Sequence, residues 1–247
     1  MSIARFKFPP RAVNRRQSQP ASGQKVFMVS EIMCYNENMS NIFDKINKLA
    51  GEYAANLKRA IGERSEEMKS DDNSHHLIYQ VLGISDKEGT LIDEYQNKGR
   101  FLYKYAGSFL EEAAILCFEH KHSEAKRKIR IPNTQGSRPK TFEIDCLVGN
   151  DAYEIKWRDA TTDGDHITKE HTRLKQIKSS GYTPIRIMFY YPNRSQAAKI
   201  QQTLETIYYG VGGQYYYGDK AWDYVKNNTG VDLLGLLEKI AAKNING

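Results

Sequence analysis

Apolar positions along the chain change their period several times, and each change marks an element. From Asn41 to about Lys69, the residues Ile42, Ile46, Leu49, Tyr53 and Leu57 recur at steps of four, three, four and four, with acids and bases between them. That spacing predicts a helix with one buried stripe. Ser70 to His76 is polar and reads as a loop. A short helix is predicted from His76 to Leu82, closing near Gly83. Another is predicted around Gly107 to His120, with Phe109, Ala113, Leu116 and Cys117 on one face. Glu111 and Glu112 would then fall in its first turns, where the helix dipole favours acids.

Downstream the period drops to two. Thr141 to Val148 alternates, as does Ala152 to Arg158, and Gly149-Asn150-Asp151 between them is a tight-turn signal. This predicts a β-hairpin. A helix is expected from Asp163 or Asp165 to Lys178, burying Ile167, Leu174 and Ile177 and stopping at Gly181. Pro184 to Tyr191, with Ile185, Ile187, Met188 and Phe189, reads as a buried strand ended by Pro192. Ser195 to Tyr208 is an amphipathic helix carrying Ile200, Leu204 and Ile207. The Gly- and Tyr-rich segment Tyr208 to Lys220 reads as a loop. A last helix is expected from Val231 to Lys243, with Leu233, Leu234, Leu237 and Ile240 serving the core or a dimer seam. Hairpin, helix, strand, helix is a mixed α/β layout: a central sheet flanked by helices, preceded by an extra helical region.

Composition narrows the class. The 247 residues are 40% apolar and 27% charged, enough for one sizeable core or two small ones. The longest apolar runs, such as Ile115 to Phe118, fall far short of the ~18 residues of a membrane span. No apolar block follows the basic start, which argues against a secretory signal. Cys34, Cys117 and Cys146 are too few and too scattered for a disulfide framework or a zinc site, so a reducing, cytoplasmic compartment is expected. The net charge of +6 leans toward polyanionic partners. Residues 1–25 hold Arg5, Lys7, Arg11, Arg15, Arg16 and Lys25 with no acid. They read as an extended basic arm, either a solvated tail or a segment that wraps a phosphate backbone or a partner subunit. Residues 26–247 are expected to form a single domain, mainly helical over 26–105, with the core and C-terminal helices over 106–247. His75 and His76 are adjacent, so on a helix they would point apart; they read as surface residues rather than ligands.

The hairpin carries the candidate chemistry. Phe142, Ile144, Cys146 and Val148 share one face of the first strand, which turns Asp145 and Glu143 to the other. On the second strand Glu154, Lys156 and Arg158 lie opposite Tyr153, Ile155 and Trp157. Correct pairing would bring Asp145, Glu154 and Lys156 together. Two close carboxylates repel unless a cation sits between them. Hard oxygen donors on strands suit Mg2+, and the carbonyl of Ile155 would complete the set. An ammonium beside them can orient water or stabilise charge on a phosphate. Glu-x-Lys recurs at Glu67, Glu119 and Glu124, but only the Glu154 copy follows an alternating strand bearing an acid. The alternative is a solvated charge ladder on an edge hairpin.

An Asp on one strand followed by Glu-x-Lys on its neighbour resembles the PD-(D/E)xK nuclease signature, with Ile144 where a Pro is usual. Glu143-Ile144-Asp145, Tyr153 through His166, Pro184-Ile185-Arg186 and Phe189 through Arg194 resemble the ApaLI-like type II restriction endonucleases. That resemblance implies a restriction-endonuclease-like core acting on double-stranded DNA with Mg2+ as cofactor. Asp145, Glu154 and Ile155 would hold the metal, and Lys156 would serve the attacking water. A helix glutamate also faces the site in many such nucleases. Glu112, three residues after Phe109 and four before Leu116, is the favoured candidate over Glu111; the alternative is that both are plain helix acids. A homodimer would match a palindromic site. A companion DNA methyltransferase and a prokaryotic cytoplasm are implied as well.

Arg158, Thr161, Thr162, His166, Lys169 and Arg173 follow the motif and are candidate DNA contacts, with His166, Lys169, Glu170 and Arg173 expected on the helix face away from Ile167, Leu174 and Ile177. Asn193, Arg194 and Gln196 follow the buried strand and are of the types that pair with base edges; Gln214 with Tyr215, Tyr216 and Tyr217 is a second such group. The competing functions are a repair or junction-resolving nuclease with the same core, and a basic DNA-binding protein in which the acidic pair is inert.

Overall fold

A computed structural model describes residues 22–136, 138–158 and 164–245, with side chains from residue 40 onward. Thr161 and Thr162, and the arm up to residue 21, lie outside the described residues. The last residues assigned to the arm, Ser22 to Lys25, begin helix α1 (Ser22–Met68). Helix α2 (His76–Val81) and helix α3 (Asp86–Lys121) follow. Helix α3 is much longer than the predicted Gly107–His120 and runs through the 105/106 division between helical part and core. Ser85 caps its start, its hydroxyl accepting from the Glu88 amide at 3.3 Å. Glu111 and Glu112 therefore sit in the helix interior rather than in its first turns.

Five strands form one sheet in the order β1-β2-β3-β4-β5. Strand β1 (Lys126–Pro132), which periodicity left unassigned, pairs antiparallel with β2 (Thr141–Val148). Strand β2 pairs antiparallel with β3 (Asp151–Arg158) through Cys146–Tyr153, Leu147–Ala152 and Val148–Asp151. The two-residue turn places Gly149 at φ 55°, the left-handed position glycine occupies in a hairpin of this kind. Strands β3, β4 (Thr183–Tyr190) and β5 (Gln214–Tyr217) are parallel, with Glu154 level with Arg186 and Ile187 level with Tyr216. The segment expected as a loop thus contains an edge strand.

The two parallel crossovers run through α4 (Asp165–Ser179) and α5 (Ser195–Gly210). Both step the same way along the sheet, so right-handed crossing puts both helices on one face. Leu174, Met188, Ile200, Leu204 and Tyr208 form the core on that side. On the opposite face Phe118 of α3 stacks on Tyr153 at 4.4 Å, and Trp222 packs on Phe189 at 4.2 Å. Trp222 belongs to α6 (Asp219–Thr229), which precedes α7 (Leu233–Ile245); only α7 was expected from the sequence, and α6 falls almost wholly in the stretch between the expected loop and that helix. From residue 41 onward α1 packs on α3, with Tyr53 against Tyr105 and Phe109. The arrangement is a mixed sheet flanked by helices with an N-terminal helical region, as expected for a restriction-endonuclease-like α/β fold. Among the described residues no helix is long and apolar enough to cross a membrane.

Candidate active site

The β2–β3 ladder ends at Cys146–Tyr153, and the site opens where it ends. Beyond that point the Ile155 amide donates to Asp145 Oδ2 at 2.8 Å, so a side chain takes the place of a backbone acceptor. This contact fixes the Asp145 carboxylate against β3. Glu154 and Lys156 leave β3 on the side covered by α4. Lys156 Nζ lies 2.6 Å from Glu154 Oε1 and 3.8 Å from Asp145 Oδ2. The three groups anticipated from the hairpin therefore meet. They are not a solvated edge ladder: Asp145 is 7% exposed and Glu154 9%.

Helix α4 closes the rear of the site. Glu170 and Arg173, expected on its outward face, are buried. The stripe facing the sheet is wider than Ile167, Leu174 and Ile177, because the buried acids and bases on the strands need partners. Arg173 Nη2 donates to Glu154 Oε2 and also to the Glu143 carbonyl at 3.0 Å. Its Nη1 donates to Glu170 Oε1 at 3.2 Å. Glu170 Oε1 also receives the Tyr208 hydroxyl at 2.7 Å and lies 3.4 Å from Arg186 Nη1. Arg186, on β4, is fully buried. A charge in the middle of the apolar run Pro184-Ile185-Arg186-Ile187-Met188-Phe189 is a visible signal in the sequence of a buried partner.

The electrostatics follow from these contacts. Burial opposes ionisation of Glu154, but Arg173, Lys156 and Arg186 outweigh it and hold the carboxyl below its usual range. Asp145 has no such set of cations. Burial, then repulsion from Glu154, push it up to about 7, with Lys156 pulling the other way. Burial disfavours the Lys156 charge too, yet Glu154 and Asp145 raise its pKa and keep it an ammonium.

Helix α3 supplies two acids nearby, and they differ. Glu112 is held by Arg127 Nη1 at 2.9 Å and Lys128 Nζ at 2.7 Å. Glu111 lies 3.3 Å from Lys128 Nζ and adds to the repulsion felt by Asp145. The helix acid coupled to Asp145 is thus Glu111, while Glu112, the sequence candidate, is turned to the β1 cations. Lys128 sits at φ 49°, a costly backbone conformation for a lysine, and is held by both glutamates.

The expected DNA contacts divide into two groups. Arg158 and Asn193 line one open groove of about 500 Å3 with Trp157, Tyr190 and Tyr191, beside the end of β3 and β4. Asn193, Arg194 and Gln196 are exposed at the start of α5, and Lys169 is exposed on α4. His166 is half-buried. Arg173 belongs to the interior of the site. Tyr215 is buried and its hydroxyl donates to Gln201 Oε1 at 2.7 Å, so β5 offers its tyrosines mainly to packing.

The donor set fits a hard divalent cation. Asp145 and Glu154 present carboxylate oxygens from fixed strands, the Ile155 carbonyl follows Glu154 directly on β3, and the opposition of burial and Glu154 to ionising Asp145 is what a cation would relieve.

The model of the ApaLI-like restriction endonuclease family matches residues 28–242, most of the chain. The chain belongs to that family. No curated protein and no solved structure matches it. Family membership makes it a restriction endonuclease: a nuclease acting on double-stranded DNA, in a family that generally uses divalent metal ions.

Proposed function

Starting from membership of the ApaLI-like restriction endonucleases, we propose that this chain is a type II enzyme. It hydrolyses phosphodiester bonds in a short palindromic sequence, with Mg2+ held by Asp145, Glu154 and the Ile155 carbonyl. The observation that carries this reading is the convergence of Asp145, Glu154 and Lys156 in a buried site at the end of the β2–β3 ladder. A bound divalent ion supplies a more acidic water and neutralises charge at phosphorus. The chain does the rest. Lys156, kept protonated by its two acids, donates a hydrogen bond that aims the attacking water and meets charge developing on the phosphate. Arg173 fixes the Glu154 carboxylate so that it does not follow Lys156 when that ammonium turns to the water or phosphate. Glu111, rather than Glu112, is the helix acid assigned to the site. Arg158, Asn193, Arg194, Gln196 and Lys169 are proposed to grip or read DNA, because they stand on the side where β3 and β4 end. His166 and the pair Thr161 and Thr162 complete the proposed contact set. Residues 26–247 are taken to work as one nuclease domain, which the continuity of α3 favours. A homodimer would cut both strands of a palindrome, with a methyltransferase protecting host DNA in a prokaryotic cytoplasm.

The test is incubation of the full chain with mapped plasmid DNA and Mg2+, followed by end sequencing. Discrete fragments sharing one palindrome at their ends, absent with Glu154→Ala, are expected. Cleavage only at branches or mismatches would instead identify a structure-specific nuclease, and binding without cleavage under any divalent ion would end the enzymatic reading.

A further inference from the structure

Away from the nuclease centre, three side chains converge where α2 begins. His76, read from sequence as a surface residue, is 4% exposed. Its burial depends on Gly89 of α3: a Cβ there would lie 2.8 Å from Tyr79 Cδ2 and 3.4 Å from His76 Cε1. The bare helix surface lets both rings lie flat against it. His76 stacks on Tyr79 at 5.2 Å, and His75 meets His76 edge-on at 4.6 Å. Adjacent histidines were expected to diverge. They do not: although the His75 backbone is helical, at φ −64° and ψ −17°, both rings turn to Asp93 of α3.

Both imidazoles aim the same atom at the same acceptor. His75 Nε2 lies 3.0 Å and His76 Nε2 3.3 Å from Asp93 Oδ2. The three ligand atoms all lie within 4.8 Å of one another. A tetrahedral ion with bonds of about 2.0–2.1 Å holds its ligands roughly 3.3–3.4 Å apart, so the two imidazole–carboxylate distances already match, and a rotation of the exposed His75 ring sets the third. The outer contacts also match. A metal-bound imidazole commonly gives its other N–H to a carboxylate, which fixes its tautomer; His76 Nδ1 faces Asp86 Oδ1 at 3.6 Å. The carboxylate is oriented too, since the Tyr79 hydroxyl donates to Asp93 Oδ1 at 2.9 Å. His75, Tyr79 and Asp93 line a cavity of about 670 Å3, which leaves a route for entry and room for a water as fourth ligand.

We propose that His75, His76 and Asp93 form a second metal site, separate from the nuclease centre, that takes a borderline transition-metal ion of the zinc class. Two imidazoles and one carboxylate are ligands for such an ion and not for Mg2+. The site joins the start of α2 to α3. Its role is structural: it pins the segment between α1 and α3. The proposal does not depend on the assigned cleavage reaction.

The untagged full chain, stripped with chelator, is titrated with Co2+ and Zn2+. One Co2+ per chain should give the visible bands of a tetrahedral ion. Zinc at a hundredfold excess over its dissociation constant should raise the melting temperature by roughly 5–10 °C. His75→Ala alters an exposed residue, and Asp93→Asn keeps the side-chain shape; each should weaken binding on the order of 100-fold or more. Asp145→Ala should leave it unchanged. Zinc retained equally by wild type, His75→Ala and Asp93→Asn would overturn the proposal, as would a Co2+ spectrum without tetrahedral bands. Loss of binding in Asp145→Ala alone would place the ion in the nuclease centre and equally end it.

Discussion

Asp145→Asn separates what the active site costs from what it does. The substitution keeps an oxygen to accept the Ile155 amide and removes only the charge. In the folded chain the carboxyl titrates at about 7 rather than 3.8, because burial and then Glu154 oppose its ionisation. At about 1.4 kcal/mol per unit, ionising it in the fold costs up to about 4 kcal/mol. That cost already contains the attraction of Lys156, and relaxation of the site brings the realised figure below it. The expected net stabilisation without metal is about 1–3 kcal/mol, a rise in melting temperature of about 3–10 °C. The pH dependence gives the sign. Between pH 4 and 7 the folded wild type holds a proton that the unfolded chain has released, so wild-type stability falls through this range, and the cost is complete above pH 7. The advantage of the variant should therefore grow two- to threefold from pH 5 to pH 8. Thermal melts in chelator at several pH values measure it, with plasmid cleavage run in parallel. A variant no more stable than wild type at pH 8, or an advantage that shrinks as pH rises, would refute this account of Asp145.

Other substitutions test the remaining assignments. Lys156→Met should lower the cleavage rate by 10²-fold or more while DNA affinity, followed by fluorescence anisotropy, stays within a few-fold. Arg173→Met leaves Glu154 without its buried guanidinium and should destabilise the fold by about 3–5 kcal/mol, visible in denaturant melts. Arg158→Ala should behave in the opposite way, with an unchanged melt, weaker DNA binding and a shallower salt dependence by about one unit. Gly213→Ala would bring a Cβ within 2.5 Å of the Pro184 carbonyl oxygen, where the turn after α5 meets β4; a loss of about 1–3 kcal/mol in chemical unfolding is expected.

The hairpin and its chemistry were legible because alternation and a turn signal are local properties. Asp145 and Glu154 could be placed on a common surface from the period alone. What escaped was set by tertiary packing. Strand β5 hides among tyrosines and glycines that look like a loop, and becomes a strand only because β4 offers an edge. Glu170 and Arg173 look like solvent-facing residues of a charged helix until Glu154 and Arg186 are seen beneath them. The choice between Glu111 and Glu112 needed Lys128 and Arg127, which come from a strand that periodicity did not assign. The Ser85-Asp86-Lys87-Glu88 pattern was readable as a helix start and would have shown where α3 begins.

The ammonium lodged on Glu154 has a consequence for how ligands enter. Asp145, Glu154 and Glu170 stand against Lys156, Arg173 and Arg186, so the side chains of the centre come close to charge balance among themselves, with Asp145 ionised only in part near neutral pH. Chelation should then silence the enzyme without unfolding it. A dication arriving alone upsets that balance in one direction, and a phosphodiester arriving alone upsets it in the other. Arriving together they offset one another in part, and that attraction makes each the promoter of the other by the same factor. An inert state in the absence of duplex is thus a by-product of charge balance.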